Sequence, residues 1–302
     1  MKRIILAALA ALCVLALPAA SLADDSGCAS GRVFLESQAW WTDSETLTDG
    51  ATEHAHSGVC FPLSPTVVSG QLTLEVVSKL HNASGQKLKR VRLQAATDQG
   101  GLKDVANVYP NLTCAATDCT FNTTLTINTD SLATGTHEIR VQTFAEKQTT
   151  GRPVLLATTG YQLCVRSCAG VTPQATDSPE GRGWYRNASG KELGYAVARY
   201  DSLSAFPRQA VSGNWCPPVR FGRGYSGDTP HERSRVVVDP NFHAGDAGRS
   251  YLDVAGAFRG NVCIDTTQLA NSSHKLVLIA YSSAKFPGQL WGVFVVPFTV
   301  SN

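Results

Sequence analysis

Glu53-His54-Ala55-His56 is the segment of this 302-residue chain best furnished for chemistry. On an extended backbone, residues i and i+2 point the same way, so His54 and His56 would present two imidazoles on one face. Imidazole ligates zinc and copper, and a three-histidine site with an open position can activate a bound water. The third ligand would be His243, in the segment running from Asp239 to Asp253, provided that the two halves of the chain fold side by side. The plainer alternative is that His54 and His56 sit exposed in a polar stretch, 49–57, and bind nothing. No H-E-x-x-H helix motif is present to support a zincin site.

The segment 239–253 also carries Asp239, Asn241, Asp246 and Asp253 with Gly245 and Gly248 between them. Hard oxygens on a glycine-rich loop suit calcium, although the spacing is not that of an EF-hand, and Pro240 equally suits a surface turn. A third group is aromatic. Trp184, Tyr185 and Trp215 lie beside turn residues, where an exposed flat ring could stack on a sugar. The alternative is that they are core residues. Gly222-Arg223-Gly224-Tyr225-Ser226-Gly227 matches a dinucleotide fingerprint only in letters, since no buried strand precedes it and no helix follows.

Any such site must be held by elements suited to an oxidising compartment. Lys2 and Arg3, an apolar run from Ile4 to Leu17 and the small residues before Ala23 have the layout of a secretory signal peptide over residues 1–23. Cleavage there would leave Asp24 first, which disfavours a copper brace built on an N-terminal histidine. No later stretch approaches the roughly 20 apolar residues of a membrane span. Loss of Lys2 and Arg3 leaves 24 basic against 24 acidic residues. That balance argues against nucleic acid and anionic membranes as partners.

Of the nine cysteines, Cys13 would leave with the leader. Cys28, Cys60, Cys114, Cys119, Cys164, Cys168, Cys216 and Cys263 remain, an even number that reads as disulfides. If the second half is separate, Cys216 and Cys263 should pair. Cys114 and Cys119 could close a short loop, and the other four stay open. Five N-x-[ST] sequons, at Asn82, Asn111, Asn122, Asn187 and Asn271, are candidate glycosylation sites.

Period-two alternation over 71–76 and 89–93 predicts half-buried strands, with the turn cluster 81–86 joining them as a hairpin. Strands are also expected over 121–127, 138–144, 154–157, 235–238, 275–281 and 292–296. Only 193–203 suggests a helix. Linker-like composition at 169–183 divides a first domain, 24–168, from a second, 184–302.

Ile127-Asn-Thr-Asp-Ser-Leu132-Ala-Thr-Gly-Thr-His137-Glu-Ile139-Arg-Val141 aligns with Ile264-Asp-Thr-Thr-Gln-Leu269-Ala-Asn-Ser-Ser-His274-Lys-Leu276-Val-Leu278 at identical spacing. The pattern resembles the late hairpin of immunoglobulin-like and fibronectin type III-like sandwiches. The resemblance implies an all-β chain of two tandem disulfide-bonded β-sandwich domains, and no activity. It makes His137 and His274 turn-flanking packing residues.

Two functional expectations follow. One is a secreted extracellular protein, or a periplasmic one, that binds glycan or another surface protein or serves a structural role. The other is a metal-dependent secreted enzyme, with copper or zinc on His54, His56 and His243, acting on polysaccharide.

Overall fold

A computed structural model describes residues 28–42, 53–62, 67–81, 86–96, 101–114, 118–147, 154–168, 180–186, 192–200, 207, 209–222, 231–242, 246–283 and 289–302. In the first half the strands are β1 (Arg32–Thr42), β2 (Glu53–Pro62), β3 (Val67–Val68), β4 (Gln71–His81), β5 (Gln86–Ala96), β6 (Leu102–Val108), β7 (Leu112–Thr113), β8 (Asp118–Asn128), β9 (Gly135–Lys147) and β10 (Val154–Val165). In the second they are β11 (Glu180–Arg186), β12 (Glu192–Tyr200), β13 (Asn214–Trp215), β14 (Pro218–Gly222), β15 (His231–Val238), β16 (Arg249–Ala255), β17 (Arg259–Asn261), β18 (Ile264–Asp265), β19 (Ser273–Ser283) and β20 (Gln289–Thr299).

These strands form two large layers. The first sheet runs β16-β15-β19-β20-β1-β2-β4-β8, and the second runs β17-β14-β12-β11-β10-β9-β5-β6. The alternating apolar residues of both sheets meet in a single core that includes Leu35, Val59, Leu74, Leu93, Val141 and Tyr161 from the first half. Tyr200, Phe221, Val236, Leu278, Phe294 and Val296 join it from the second. The class is therefore all-β, as the periodicity implied.

The arrangement of the halves differs from two beads on a linker. Residues 180–183, expected to be linker, begin β11, which pairs along β10. Strand β20 pairs along β1 in the same manner. Each half thus places four strands in each layer, and the halves are joined edge to edge in both.

Strands β4 and β5, expected to be a hairpin, lie in different sheets. Segment 193–200, whose spacing suggested a helix, lies within β12. Its Ala198 and Tyr200 are buried in the shared core, and that burial outweighs local helix propensity.

The internal repeat is real in three dimensions and longer than its sequence signature. Thr129 donates both its backbone N–H and its hydroxyl to the Gly70 carbonyl at 2.8 Å. Thr266 does the same to the Gly213 carbonyl, also at 2.8 Å. Both acceptor glycines have positive φ, 69° and 65°, a conformation that favours glycine in a tight turn. Asn128 and Asp265 cap equivalent 3-10 turns.

His137 and His274 each place Nε2 2.8 Å from the carbonyl four residues earlier, Ala133 or Ala270. These histidines staple an arch between the layers. The segments Val68-Ser69-Gly70 and Val211-Ser212-Gly213 then run beside Val165 and Val300 respectively.

The disulfides are Cys28–Cys60, Cys114–Cys119, Cys164–Cys168 and Cys216–Cys263. The last ties the segment before β14 to the segment after β17 and closes a span of 47 residues. A loop of that size constrains the unfolded chain by about 3 to 4 kcal/mol in the chain-entropy view.

Candidate functional site

The outward face of the first sheet carries a polar and aromatic cluster that the core does not require. Alternation in β1 turns Leu35, Ser37 and Ala39 inward. Glu36, Gln38 and Trp40 therefore point outward. Register then fixes their neighbours, with Gln38 opposite His56 and His56 opposite Lys79. In the next row Trp40 lies opposite His54 and His54 opposite His81.

Along that second row the rings stack. Trp40 and His54 have centroids 3.8 Å apart, and His54 and His81 are 4.5 Å apart. His56 lies 4.6 Å from His54 on the same face, as period-two geometry demands. A chain of hydrogen bonds crosses the cluster. Trp40 Nε1–H donates to Gln38 at 2.6 Å, and the Gln38 amide donates to Glu36 at 2.6 Å. His56 Nδ1–H donates to the same Glu36 carboxylate at 2.5 Å.

Burial works to raise the Glu36 pKa, but the charge and hydrogen bond of His56, the Gln38 amide and the Lys79 ammonium bring it down to about 2. His54 has the opposite fate. Burial, then His56 and His81, hold its pKa well below the ordinary histidine range, and its Nδ1 has no hydrogen-bond partner among the described residues. His81 pairs with Asp118.

The facing wall comes from the second half. Asp239, at positive φ just after β15, accepts from the Lys275 backbone N–H at 2.8 Å. Its second oxygen lies 2.5 Å from His274 Nδ1. Burial opposes protonation of His274, but the Asp239 hydrogen bond, the Ala270 carbonyl and the Asp239 charge raise its pKa overall. With acceptors near both ring nitrogens, the protonated form of this imidazole is favoured.

Phe242, three residues on, packs edge-on to Trp40 at 5.6 Å. Gly248 permits this loop geometry, since a Cβ there would lie 2.5 Å from the Val238 carbonyl oxygen. Between the walls lies a cleft of about 510 Å³, lined in part by Glu36, His56, Lys79, Asp239, Phe242 and His274.

Sequence reasoning found His54 and His56 but missed most of the site. His243 lies outside the described residues, and the imidazole beside His54 is His81. Among the described residues no group of three His, Cys, Asp or Glu side chains is set to hold a metal ion. The acidic residues of 239–253 are separately engaged. Asp239 serves His274, Asp246 accepts from the Gly248 N–H, and Asp253 pairs with Arg233 and Arg235.

Trp184 and Tyr185 occupy β11, with side chains outside the described set. Trp215 is half-buried against the core, its ring 4.6 Å from Phe298, in a packing role. Among the sequons, Asn111 and Asn122 are exposed, while Asn271 is bonded to the backbone of Asn302. Asn82 and Asn187 fall outside the described residues.

One signal in the sequence could have led to β1. Glu36-x-x-x-Trp40-Trp41 recurs as Glu180-x-x-x-Trp184-Tyr185. The two segments occupy the same place in each half, Glu36 opposite Val295 on β20 and Glu180 opposite Gly160 on β10.

No family model matches the chain, and no curated protein matches it. A solved structure titled "pT26-6p" is similar at 8% identity with a TM-score of 0.24. The match covers 89% of this chain and 66% of that one, just under two thirds of its length. A likeness at that level carries no argument. Among the described residues no helix is long and apolar enough to cross a membrane.

Proposed function

We propose that this is an exported extracellular binding protein whose ligand site is the cleft on the outer face of the first sheet, and that the ligand is a neutral, polyhydroxylated molecule of the carbohydrate class. One observation carries the reading. The internal repeat separates residues that the fold needs from residues that it does not.

His137 and His274, Thr129 and Thr266, and Gly70 and Gly213 recur in both halves and are architectural. Of the cleft residues, Glu36 and His274 have counterparts in Glu180 and His137, and His54, His56 and Asp239 do not recur. By register, His54 and His56 correspond to Tyr195 and Val197, and Asp239 corresponds to Ala96. Two histidine–carboxylate pairs, one from each half, face one cleft, and one member of each, His56 and Asp239, is not demanded by the sandwich.

The ligand class follows from charge and shape. The cleft sets Lys79, His56 and His274 against Glu36 and Asp239, so its lining mixes both signs. It offers fixed donors and acceptors beside the Phe242 ring, the mixture that suits sugar hydroxyls on an apolar ring face. The eight bonded cysteines fit the oxidising compartment that the leader implies.

The test is titration calorimetry against a panel of neutral oligosaccharides. A bound sugar should lose about tenfold or more in affinity with His56→Ala or Asp239→Asn, at unchanged fold by circular dichroism. Parent-like affinity in both variants would remove the cleft from consideration.

The metal-dependent enzyme stands as a second reading, favoured by the unpartnered Nδ1 of His54 and by His56 and His81 donating Nδ1 to carboxylates, as metal-bound histidines do. Elemental analysis of chelator-free protein checks it. One equivalent of copper or zinc that disappears in His54→Ala/His56→Ala supports it, and no stoichiometric metal in the parent removes it.

A further inference from the structure

The two edges of the sandwich are built differently. At one, β16 carries Arg249 and Asp253, and Asp253 pairs with Arg233 and Arg235. The pairing of β16 with β15 is interrupted by a bulge between Val236 and Val237. The second sheet ends in β17, which has three residues. Charge, bulges and shortness all discourage a sheet edge from pairing with another.

At the opposite edge β8 has none of these features. This strand, Asp118–Asn128, is 11 residues long and ends the first sheet. It pairs with β4 over its whole length without a bulge. It contains no proline, and its one charged residue, Asp118, stands at its start and pairs with His81. Cys119, Phe121 and Thr123, on its core-facing side, are only half-buried. Alternate backbone N–H and C=O groups of an edge strand point away from the sheet. Among the described residues no strand pairs with them.

Apolar surface gathers at the same edge. Strand β6, the last of the second sheet, lies against β8, and the Cys114–Cys119 disulfide fastens the segment after β7 to β8. Val105, Tyr109 and Leu112, on β6, β7 and the turn between them, are 38%, 57% and 37% exposed. They are three of the four large apolar side chains exposed among the described residues. An open hydrogen-bonding edge in one layer thus stands beside an exposed apolar strip in the other.

We infer that this edge is the interface of a homodimer, in which β8 pairs antiparallel with β8 of a second copy and continues the first sheet across a two-fold axis. The strand itself selects this occupant. Pairing about Thr123, its midpoint, engages all 11 residues. It sets Phe121 opposite Leu125 and Cys119 opposite Ile127 on the core side. On the outward side it sets Thr120 opposite Thr126 and Asn122 opposite Thr124. Asp118 meets Asn128, so no like charges oppose each other. Apolar and threonine pairs of this kind stabilise a sheet, and a two-fold contact closes at two copies.

The size is adequate. At about 3.4 Å per residue the edge is roughly 37 Å long, and two layers about 10 Å apart, with their side chains, make it roughly 20 Å deep. That is roughly 750 Å² per copy, within the range of about 1,200 to 2,000 Å² in total for stable association. The axis is normal to the sheet, so both first sheets keep their outer faces on one side. The two clefts then open in the same direction, as a bivalent site for one polymer. This consequence rests on the cleft reading, whereas the pairing of β8 does not.

Sedimentation velocity of the exported chain over about 0.1 to 100 μM tests the pairing. The parent should have twice the mass of one chain. Asn122→Lys/Thr124→Lys sets positive charge opposite positive charge across the axis and should raise the dissociation constant by about tenfold or more. Asn122→Glu/Thr124→Lys sets opposite charges across the same axis and should return it to within about threefold of the parent. Both variants remove the Asn122 sequon, so a glycan there does not distinguish them. Both positions are exposed and outside the cleft lining, and thermal melts establish that the fold is intact. A parent that stays monomeric, an unchanged dimer in the double-lysine variant, or equal losses in the two variants would each overturn the inference. No sugar is present in this measurement, so its failure leaves the cleft to be judged by the oligosaccharide titration.

Discussion

Glu36 is kept ionised in the cleft by His56, Gln38 and Lys79. Its folded pKa, about 2, lies below the ordinary glutamate value of 4.5. A carboxylate lowered in this way stabilises the fold above its unfolded pKa, and the contribution is lost as pH falls from about 4.5 toward 2. Glu36→Gln should therefore flatten the melting temperature against pH in that window, as differential scanning calorimetry would show.

Two histidines act in opposite senses at milder pH. His274 is raised by Asp239, so its contribution is complete below the ordinary histidine pKa and fades as pH rises through the folded value. His54 is lowered by burial, so acid favours the unfolded chain, which takes up the proton first. His54→Phe preserves a ring against Trp40 and removes that proton site. It should reduce the loss of stability between pH 7 and 5, and a steeper loss in the variant would contradict the assignment of His54 as a neutral buried imidazole.

At the level of elements, the arches that carry the repeat explain what could and could not be read from the sequence. Leu132 and Leu269, His137 and His274 were legible because one short local motif contains them together with the carbonyls of Ala133 and Ala270 that the histidines meet. The Thr–Gly half of the arch was not, since Gly70 and Gly213 lie far upstream of Thr129 and Thr266.

Strand alternation located β4, β5, β8, β9, β15 and β19, but it does not say which sheet a strand enters, and so β4 and β5 passed for a hairpin. Candidate ligands fared likewise. His54 and His56 needed only period two, while Lys79, His81 and Glu36 needed the register of three strands, and Asp239 needed the second half of the chain. Of the two alternatives for Trp215, flanking turn residues could not report the packing of its half-buried ring on Phe298.

If the arches are equivalent, Thr129→Val and Thr266→Val should each cost about 1 kcal/mol, because each removes a buried hydroxyl donor while retaining its shape. Urea unfolding of the two variants checks this. A large cost in one and none in the other would mean that the arches are alike in form and not in energy.

For the whole molecule, the seam between halves matters more than either half. Gly181 sits there with no room for a side chain, since a Cβ would lie 2.6 Å from Phe294 Cβ, 2.8 Å from the Val293 carbonyl oxygen and 2.9 Å from Ser37 Oγ. Those neighbours belong to β20 and β1, so one residue of β11 touches both strands of the opposite junction. Gly181→Val should destabilise the molecule by about 1 to 3 kcal/mol or more, the scale of overpacked cores. It should lower a single calorimetric transition without splitting it, whereas two resolved transitions would show halves that melt independently.

The junction of β1 with β20 has a counterpart in the junction of β10 with β11, and only the second is crossed by the chain. Strands β1 and β20 are antiparallel, with Thr42 at the Gln289 end and Glu36 at Val295, so the start of β1 and the finish of β20 lie at one edge of the sandwich. A peptide bridging that edge would reproduce the link that already joins β10 to β11. The molecule is in effect a ring opened at one of two equivalent seams, and a circularly permuted chain beginning at β11 and ending at β10 should close into the same sandwich, with the cleft unchanged.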